Sequence, residues 1–295
     1  MNFLITGGTG FIGGKLKNHL IKKGHHVFIL TRSTEKYHNT DSEIYIPYSA
    51  NPEKLPEIYG VINLAGESLF GYWTEKKKEN IINSRLTITA QLLEFIEKLP
   101  KKPEVFINGS AVGFYGTSHE HIFTESTSNS GDDFLASVAV KWEKAAKRAE
   151  DLGIRTVYSR FGIVLGRKNG ALPLMELPVK LFVGGKVGDG EQWISWIHVD
   201  DAVHLMELCL FNESINGPVN FTAPKPLRNK EFYQALAAAN KRPYWFPTPA
   251  PFIDLVLGEM SILITEGQYV LPQKALDQGF NFTFPHFKTA LNSLK

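Results

Sequence analysis

A single cysteine in 295 residues excludes disulfides and thiolate metal clusters. That residue, Cys209, repeats with Ala202, Met206 and Leu210 at helical spacing. It therefore reads as core rather than as a nucleophile, which would need an electropositive, partly open setting. Excess charge is also missing. Lys and Arg number 32 against 30 Asp and Glu, a net +2, which gives no case for a nucleic-acid or membrane surface. Long apolar runs are absent too, since residues 252–264 are interrupted by Asp254 and Glu259, so nothing spans a bilayer. A basic leader is lacking and the first strand is expected from residue 2, so a reducing cytoplasm is the expected location. No pattern of metal ligands is present.

What is present begins at the first residues. The run MNFLITGGTGFIGGKL reads as a buried strand, a glycine turn and a helix whose apolar positions are Ile12, Leu16 and Leu20, with Gly24 at its end. Gly7 permits the tight turn, Gly10 lets the backbone approach a pyrophosphate, and Gly13 lets the helix pack close. Thr9, Phe11 and Ile12 complete this expected dinucleotide loop. Strands and helices then alternate: HHVFILTR, a polar loop, GVINLAG, a long helix through SRLTITAQLLEFIEKL, VFINGSAVGFYG, the helix DFLASVAVKWEKAAKRAEDLG, and TVYSRFGIVLG. Strict alternation argues an α/β fold, a Rossmann-like doubly wound parallel sheet. Residues 1–166 are expected as the cofactor domain and 167–295 as a smaller substrate lobe, with 217–224 returning to the sheet. The lobe would roof the cleft at the carboxyl ends of the strands.

The second strand lacks the acid that would bind an adenine ribose 2′-hydroxyl, expected about 20 residues beyond the glycines. Thr31, Arg32 and Ser33 stand there instead, and the planar fork of Arg32 suits a 2′-phosphate, which points to NADP. Leu64, Ala65, Gly66 and Glu67 end the third expected strand with mostly small residues that let the cofactor come close. Glu67 reads equally as a carboxylate near a helix start. Arg85 is a cofactor contact or a solvated helical arginine.

The pieces TGGTGFIG, NLAG, SAVGFYG, SRFGIVLG and WIHVDDAV resemble the extended short-chain dehydrogenase/reductase superfamily, the NAD(P)-dependent epimerases and dehydratases. NLAGE, KWE, SWIHVDD and EGQYVLPQKALDQGFNF resemble more closely its NADP-binding "epimerase family" branch, over nearly the full length. In the superfamily a Ser, and a Tyr-x-x-x-Lys pair on one helix, move the proton. The lysine lowers the phenol pKa from about 10. The resemblance places the lysine at Lys141 and the serine at Ser110, and it puts Arg160 near the cofactor. Ser137 stands where the tyrosine belongs. Tyr115, Tyr72 and Glu67 are substitutes for the missing group, each also readable as a packed or hydrogen-bonded side chain. Trp142 reads as packing, and Asp200 or Asp201 as the N-cap of the helix AVHLMELCL.

Two functions follow from the resemblance. One is an NADP-dependent oxidoreductase or nucleoside-diphosphate-sugar epimerase acting on a hydroxyl- or carbonyl-bearing small molecule, with a homodimer as its expected assembly. For a sugar nucleotide, Lys225, Arg228, Lys230, Lys241 and Arg242 would offer charge to a diphosphate, though such residues more often form a solvated face. The other is a non-catalytic NADP(H) sensor, which keeps the glycine loop and dispenses with the tyrosine.

Overall fold

Five short strands rich in apolar side chains open the chain: β1 (Asn2–Thr6), β2 (His26–Leu30), β3 (Glu43–Ile46), β4 (Gly60–Asn63) and β5 (Val105–Ala111). They alternate with α1 (Phe11–Lys22) and α2 (Glu75–Glu97). The two-residue strand β6 (Ile122–Phe123) precedes α3 (Phe134–Ala146), the short α4 (Arg148–Asp151), β7 (Arg155–Phe161) and β8 (Ile163–Leu165). The computed structural model describes residues 1–294.

Beyond residue 166 come α5 (Leu172–Lys180), β9 (Trp193–Ile194), β10 (Trp196–His198), α6 (Val199–Phe211), β11 (Gly217–Phe221), β12 (Leu227–Arg228) and α7 (Asn229–Ala239). The chain ends with α8 (Ala250–Leu257), α9 (Ile262–Thr265), β13 (Tyr269–Val270), α10 (Gln273–Asp277) and α11 (Phe287–Ser293).

The main sheet has seven strands in the order β11-β7-β5-β4-β1-β2-β3, and every pairing in it is parallel. Both faces are covered, as a parallel sheet requires. In β1 the side chains alternate: Phe3 and Ile5 join Leu16, Leu20, Met206 and Cys209 on the α1/α6 face. Leu4 joins Leu92, Leu93, Ile96 and Phe106 on the opposite face. Burying such a side chain contributes about 1.5–3 kcal/mol, which fixes the strand register. The chain runs from β1 outward to β2 and β3, then returns to β4 on the other flank. The crevice at that reversal, beyond the strand ends, is where an open α/β sheet binds its ligand.

Two features depart from the sequence reading. Glu43–Ile46, expected within a loop, is the edge strand β3, half-exposed and only four residues long, so its pattern is too short to stand out. The stretch expected as the lobe also contributes α6 to the sheet layer, since α6 packs on α1, while β11, within the segment expected to return to the sheet, pairs with β7. The remainder forms a separate core around Trp196, Phe232, Leu236 and Phe287. Cys209 is fully buried and burial pushes its thiol up to about 12, so it packs and stays protonated. Among the described residues no helix is long and apolar enough to cross a membrane, and no cluster of metal ligands is found.

Candidate functional site

The glycine loop sits at the β1/β4 crevice, and each glycine has a physical reason. Gly7 has φ +70°, and a Cβ there would lie 2.7 Å from the Leu64 carbonyl group. The β1 turn is thus pressed against Leu64 and Ala65, the end of β4. Gly13 lets α1 close on the turn, since a Cβ would fall 2.3 Å from the Gly7 oxygen. Gly10 is the N-cap of α1, its side has only the Gly7 oxygen nearby, and no side chain caps the helix. Gly10 N–H donates to Gly7 O, while the N–H groups of Phe11, Ile12 and Gly13 find no acceptor among the described residues. Three unsatisfied donors and the positive end of the helix dipole make an anion cradle. Thr9 is exposed beside them. The Phe11 ring fills the space beside Gly166 and Gly170, where Cβ atoms would come within 2.3 and 2.9 Å of it.

Arg32 lies just past the end of β2, exposed, with no ion-pair or hydrogen-bond partner among the described residues. Gly66 lies over Arg85, whose guanidinium carbon would be 3.1 Å from a Cβ there. Arg85 Nη1 donates to the carbonyls of Glu67 and Ile81, and the guanidinium also lies over the Trp142 ring. Burial lowers the Arg85 pKa to about 10, so it remains a cation at neutral pH. Glu67 is exposed; its carboxylate accepts from Lys77 at 2.7 Å, which holds its pKa below the usual range. The N-cap of α2 is Thr74, so Glu67 is not that helix's cap. Below them, Thr6, Asn63, Thr89 and Asn108 form a buried hydrogen-bonded row joining β1, β4, α2 and β5. Trp142 donates into this row through Thr89 and packs on Gly109, so it is core, as expected.

Of the residues expected to do chemistry, Ser110 and Tyr115 meet around Arg160, and Lys141 stands apart. Ser110 is buried, and its hydroxyl donates to Glu143 at 2.6 Å. Arg160, expected against the cofactor, instead holds Glu143 through Nε and Nη2, both at 2.8 Å, and lies over the rings of Phe114 and Tyr115. Tyr115 is buried, stacks on Phe123 and donates to Asn220 at 2.8 Å. Burial raises its pKa, the opposite of what a proton-shuttling phenol needs.

Lys141 is exposed on another side of α3. With Ser137 it borders a hollow of about 300 Å³ that also involves Glu75, Lys78, Glu79, Asp132 and Asp133. The stripe of α3 that faces the end of β5 is Leu135, Ala139 and Glu143, spaced i, i+4, i+8. Leu135 touches Gly113, Ala139 packs with Val112, Phe114 and Tyr115, and Glu143 binds Ser110. The positions from which a Tyr and Lys pair would face the strand end are therefore apolar, and the motif register falls two residues away from Ser137 and Lys141.

Glu143 is the site residue that sequence reasoning missed. Its only local signal is a carboxylate in an otherwise apolar helical stripe. His198 and not an aspartate caps α6, with Nδ1 accepting from Asp200 N–H. Asp201 is buried and accepts from the backbone N–H of Thr283 and Phe284. Tyr72 is exposed, and its hydroxyl donates to the Val256 carbonyl.

With this geometry in view, the relatives are informative. Residues 3–220 match the NAD dependent epimerase/dehydratase family, and 248–294 match a domain of unknown function, DUF1731. The epimerase family protein YfhF of Bacillus subtilis is 47% identical over all of this chain and 98% of its own. The human epimerase family protein SDR39U1 (isoform 2), solved with NADPH, superposes with a TM-score of 0.89 at 33% identity, covering 100% of this chain and 99% of its own. A nucleoside-diphosphate sugar epimerase from Corynebacterium glutamicum superposes with a TM-score of 0.79 at 30% identity, over 99% of this chain and 57% of that one. The alternating sheet, the uncapped glycine turn and these full-length matches agree: the chain belongs to the NAD dependent epimerase/dehydratase family.

Proposed function

We propose that this protein binds NADP(H) at the β1/β4 crevice and uses it for oxidoreduction or epimerisation at a hydroxyl or carbonyl of a small molecule. The observation that carries the reading is the pairing of an uncapped α1 N-terminus with a free Arg32 at the end of β2. The residues fit the cofactor: the N–H groups of Phe11, Ile12 and Gly13 would hold its pyrophosphate, and Arg32 its 2′-phosphate. Leu64, Ala65 and Gly66 would flank it, and Arg85 has nitrogens beyond Nη1 left to donate. When bound, the cofactor supplies a hydride donor or acceptor. NADPH in the human relative supports the choice of NADP(H), and the Corynebacterium relative supports epimerase-type chemistry.

What the chain itself offers a substrate is limited. Ser110 gives its proton to Glu143, so toward a ligand its oxygen can only accept. No phenol–lysine relay faces the strand end, so proton transfer falls to solvent or to the substrate. That same apolar Leu135–Ala139 stripe favours a second reading, an NADP(H) sensor without turnover. Titration of the protein with NADPH and NADH tests the shared step. Losing a charge-assisted bond of about 1.5–3 kcal/mol corresponds to roughly 10- to 100-fold in affinity, so Arg32→Ser should weaken NADPH by that factor and leave NADH unchanged. Equal affinities of the unaltered protein for the two cofactors would sink the assignment. NADPH consumption with a panel of carbonyl compounds separates enzyme from sensor.

A further inference from the structure

We propose that the molecule acted on at this site is apolar, a hydrocarbon-rich compound carrying one carbonyl or hydroxyl, seated on a band of exposed side chains that leads from the cofactor crevice onto the small lobe. The proposal rests on the NADP(H) reading above. Two arms leave the crevice and meet on α8. One is the loop after Leu64–Glu67, which carries Phe70 and Tyr72. The Tyr72 hydroxyl reaches the Val256 carbonyl, and Gly71 N–H reaches the Met260 sulfur at 3.2 Å. The other arm starts at Gly166 and Gly170, packed on Phe11 beside the anion cradle, and continues through Leu177 of α5 to Phe182. Trp245 donates to the Phe182 carbonyl at 2.9 Å, and Thr248 N–H to the Lys186 carbonyl at 2.9 Å, which brings the chain to α8 and Leu255.

Along this path large apolar groups face water: Tyr72 is 66% exposed, Trp245 67% and Leu255 81%. Between the arms and the end of β5 the lining stays apolar, with Leu69, Leu135, Met260 and Ile262 half-buried around Trp73. Exposed large apolar side chains gathered along both arms mark a binding site, and their start beside the crevice gives it a small-molecule occupant. Charge argues the same way. Both lobe arginines considered for a diphosphate are committed: Arg228 lies 3.6 Å over Trp193 and donates to the Glu191 carbonyl, and Arg242 lies 4.2 Å over Phe182. Lys230 is paired with Glu191 at 2.5 Å. Three of the five cations considered for a diphosphate are thus engaged, and the band itself offers a sugar nucleotide mainly apolar groups, whereas an alkyl or aryl carbonyl compound would meet matching surface.

The test uses the full-length protein loaded with NADPH, with cofactor affinity measured first on the same preparation. A 2-alkanone series from butanone to undecanone, titrated by calorimetry, should bind about fourfold more tightly per added methylene, from about 0.8 kcal/mol per buried CH₂. Leu177→Ser and Phe182→Ser should each weaken undecanone about tenfold while NADPH binds as before. Affinity independent of chain length overturns the proposal, as does tighter binding of UDP-glucose than of any alkanone. Two further results would also overturn it. In one, the variants turn a dimer into a monomer and leave undecanone affinity intact, assigning the band to a second copy. In the other, they abolish binding to phosphatidylcholine vesicles with the same indifference to undecanone, assigning it to a membrane surface. If NADPH itself fails to bind, the cofactor reading falls first and is recognised as the cause.

Discussion

Glu143 is the residue on which the floor of the candidate site depends. Its carboxylate gathers a hydroxyl from β5 and a bidentate guanidinium from β7, and both charged partners are almost fully withdrawn from water. Such a pair adds little net stability when intact, but removing one member strands the other charge. Glu143→Gln should therefore cost about 3–5 kcal/mol in urea denaturation, with a smaller loss for Ser110→Ala. Ser137, half-buried at the rim of a hollow, and Lys141, exposed beside it, make no side-chain hydrogen bond among the described residues, and Ser137→Ala and Lys141→Ala should change stability by less than about 0.5 kcal/mol. Any NADPH turnover should survive both; a loss of about 100-fold or more, the range for an acid–base group, would return Ser137 and Lys141 to the mechanism. Arg32 was conspicuous in the sequence because an arginine where an acid belongs is a local anomaly. Glu143 was not, because its meaning depends on Ser110 and Arg160 lying opposite each other in the β5–β7 register, which no spacing along the chain displays.

At the scale of elements, α1 and α3 contrast. At the start of α1 the contact that requires Gly13 lies in the turn just before it, at the Gly7 oxygen, so this part of the turn could be read directly. The prediction there is sharp: Gly13→Ala would drive a Cβ to 2.3 Å from the Gly7 oxygen, whereas at Gly14 the nearest atom is 3.6 Å away. Gly13→Ala should abolish NADPH binding and lower the melting temperature, and Gly14→Ala should do neither; equal behaviour of the two would refute the packing argument. In α3 a lysine suggested a register, but the helix presents a different stripe to the sheet, fixed by Leu135 against Gly113 and by Glu143.

The start of α6 carries a titratable cap. His198 Nδ1 accepts from Asp200 N–H, and Nε2 lies 3.2 Å from Ser293 Oγ, an arrangement that needs neutral imidazole. Burial lowers its pKa below 6.5, with Lys15 and His204 acting in the same direction and Asp200 and Asp201 opposing. Above pH 6.5 both folded and unfolded forms are neutral and the cap is intact. As pH falls below 6.5 the unfolded chain takes up the proton first, so stability declines toward the folded-state pKa. Denaturation midpoints should fall on moving from about pH 7.5 to 5.5, and His198→Asn, which caps without titrating, should flatten that decline.

Across the whole molecule, the sheet and its two helical layers were legible because buried parallel strands appear as apolar runs and the helices between them as periodic ones. The way the C-terminal segment is tied back was not, since it rests on single polar contacts between distant residues. Asp201 is one such tie: fully buried in α6, it accepts the backbone N–H groups of Thr283 and Phe284 at 2.8 and 2.9 Å. Those contacts hold the approach to α11, whose Phe287 and Leu291 complete the lobe core with Trp196 and Phe232. Asp201→Ala would leave both amides without an acceptor, at about 1–3 kcal/mol each, and a melting temperature lower by roughly 2–4 °C per kcal/mol is expected. The loss should also be local. Hydrogen exchange should accelerate across residues 280–294 while α1 and the strands beside it keep their protection, because the glycine turn shares no polar contact with this tie. NADPH affinity should be unchanged. If exchange instead accelerates evenly over both regions, the lobe and the sheet unfold as one unit, and Asp201 supports the whole molecule and not the seat of its C-terminal segment alone.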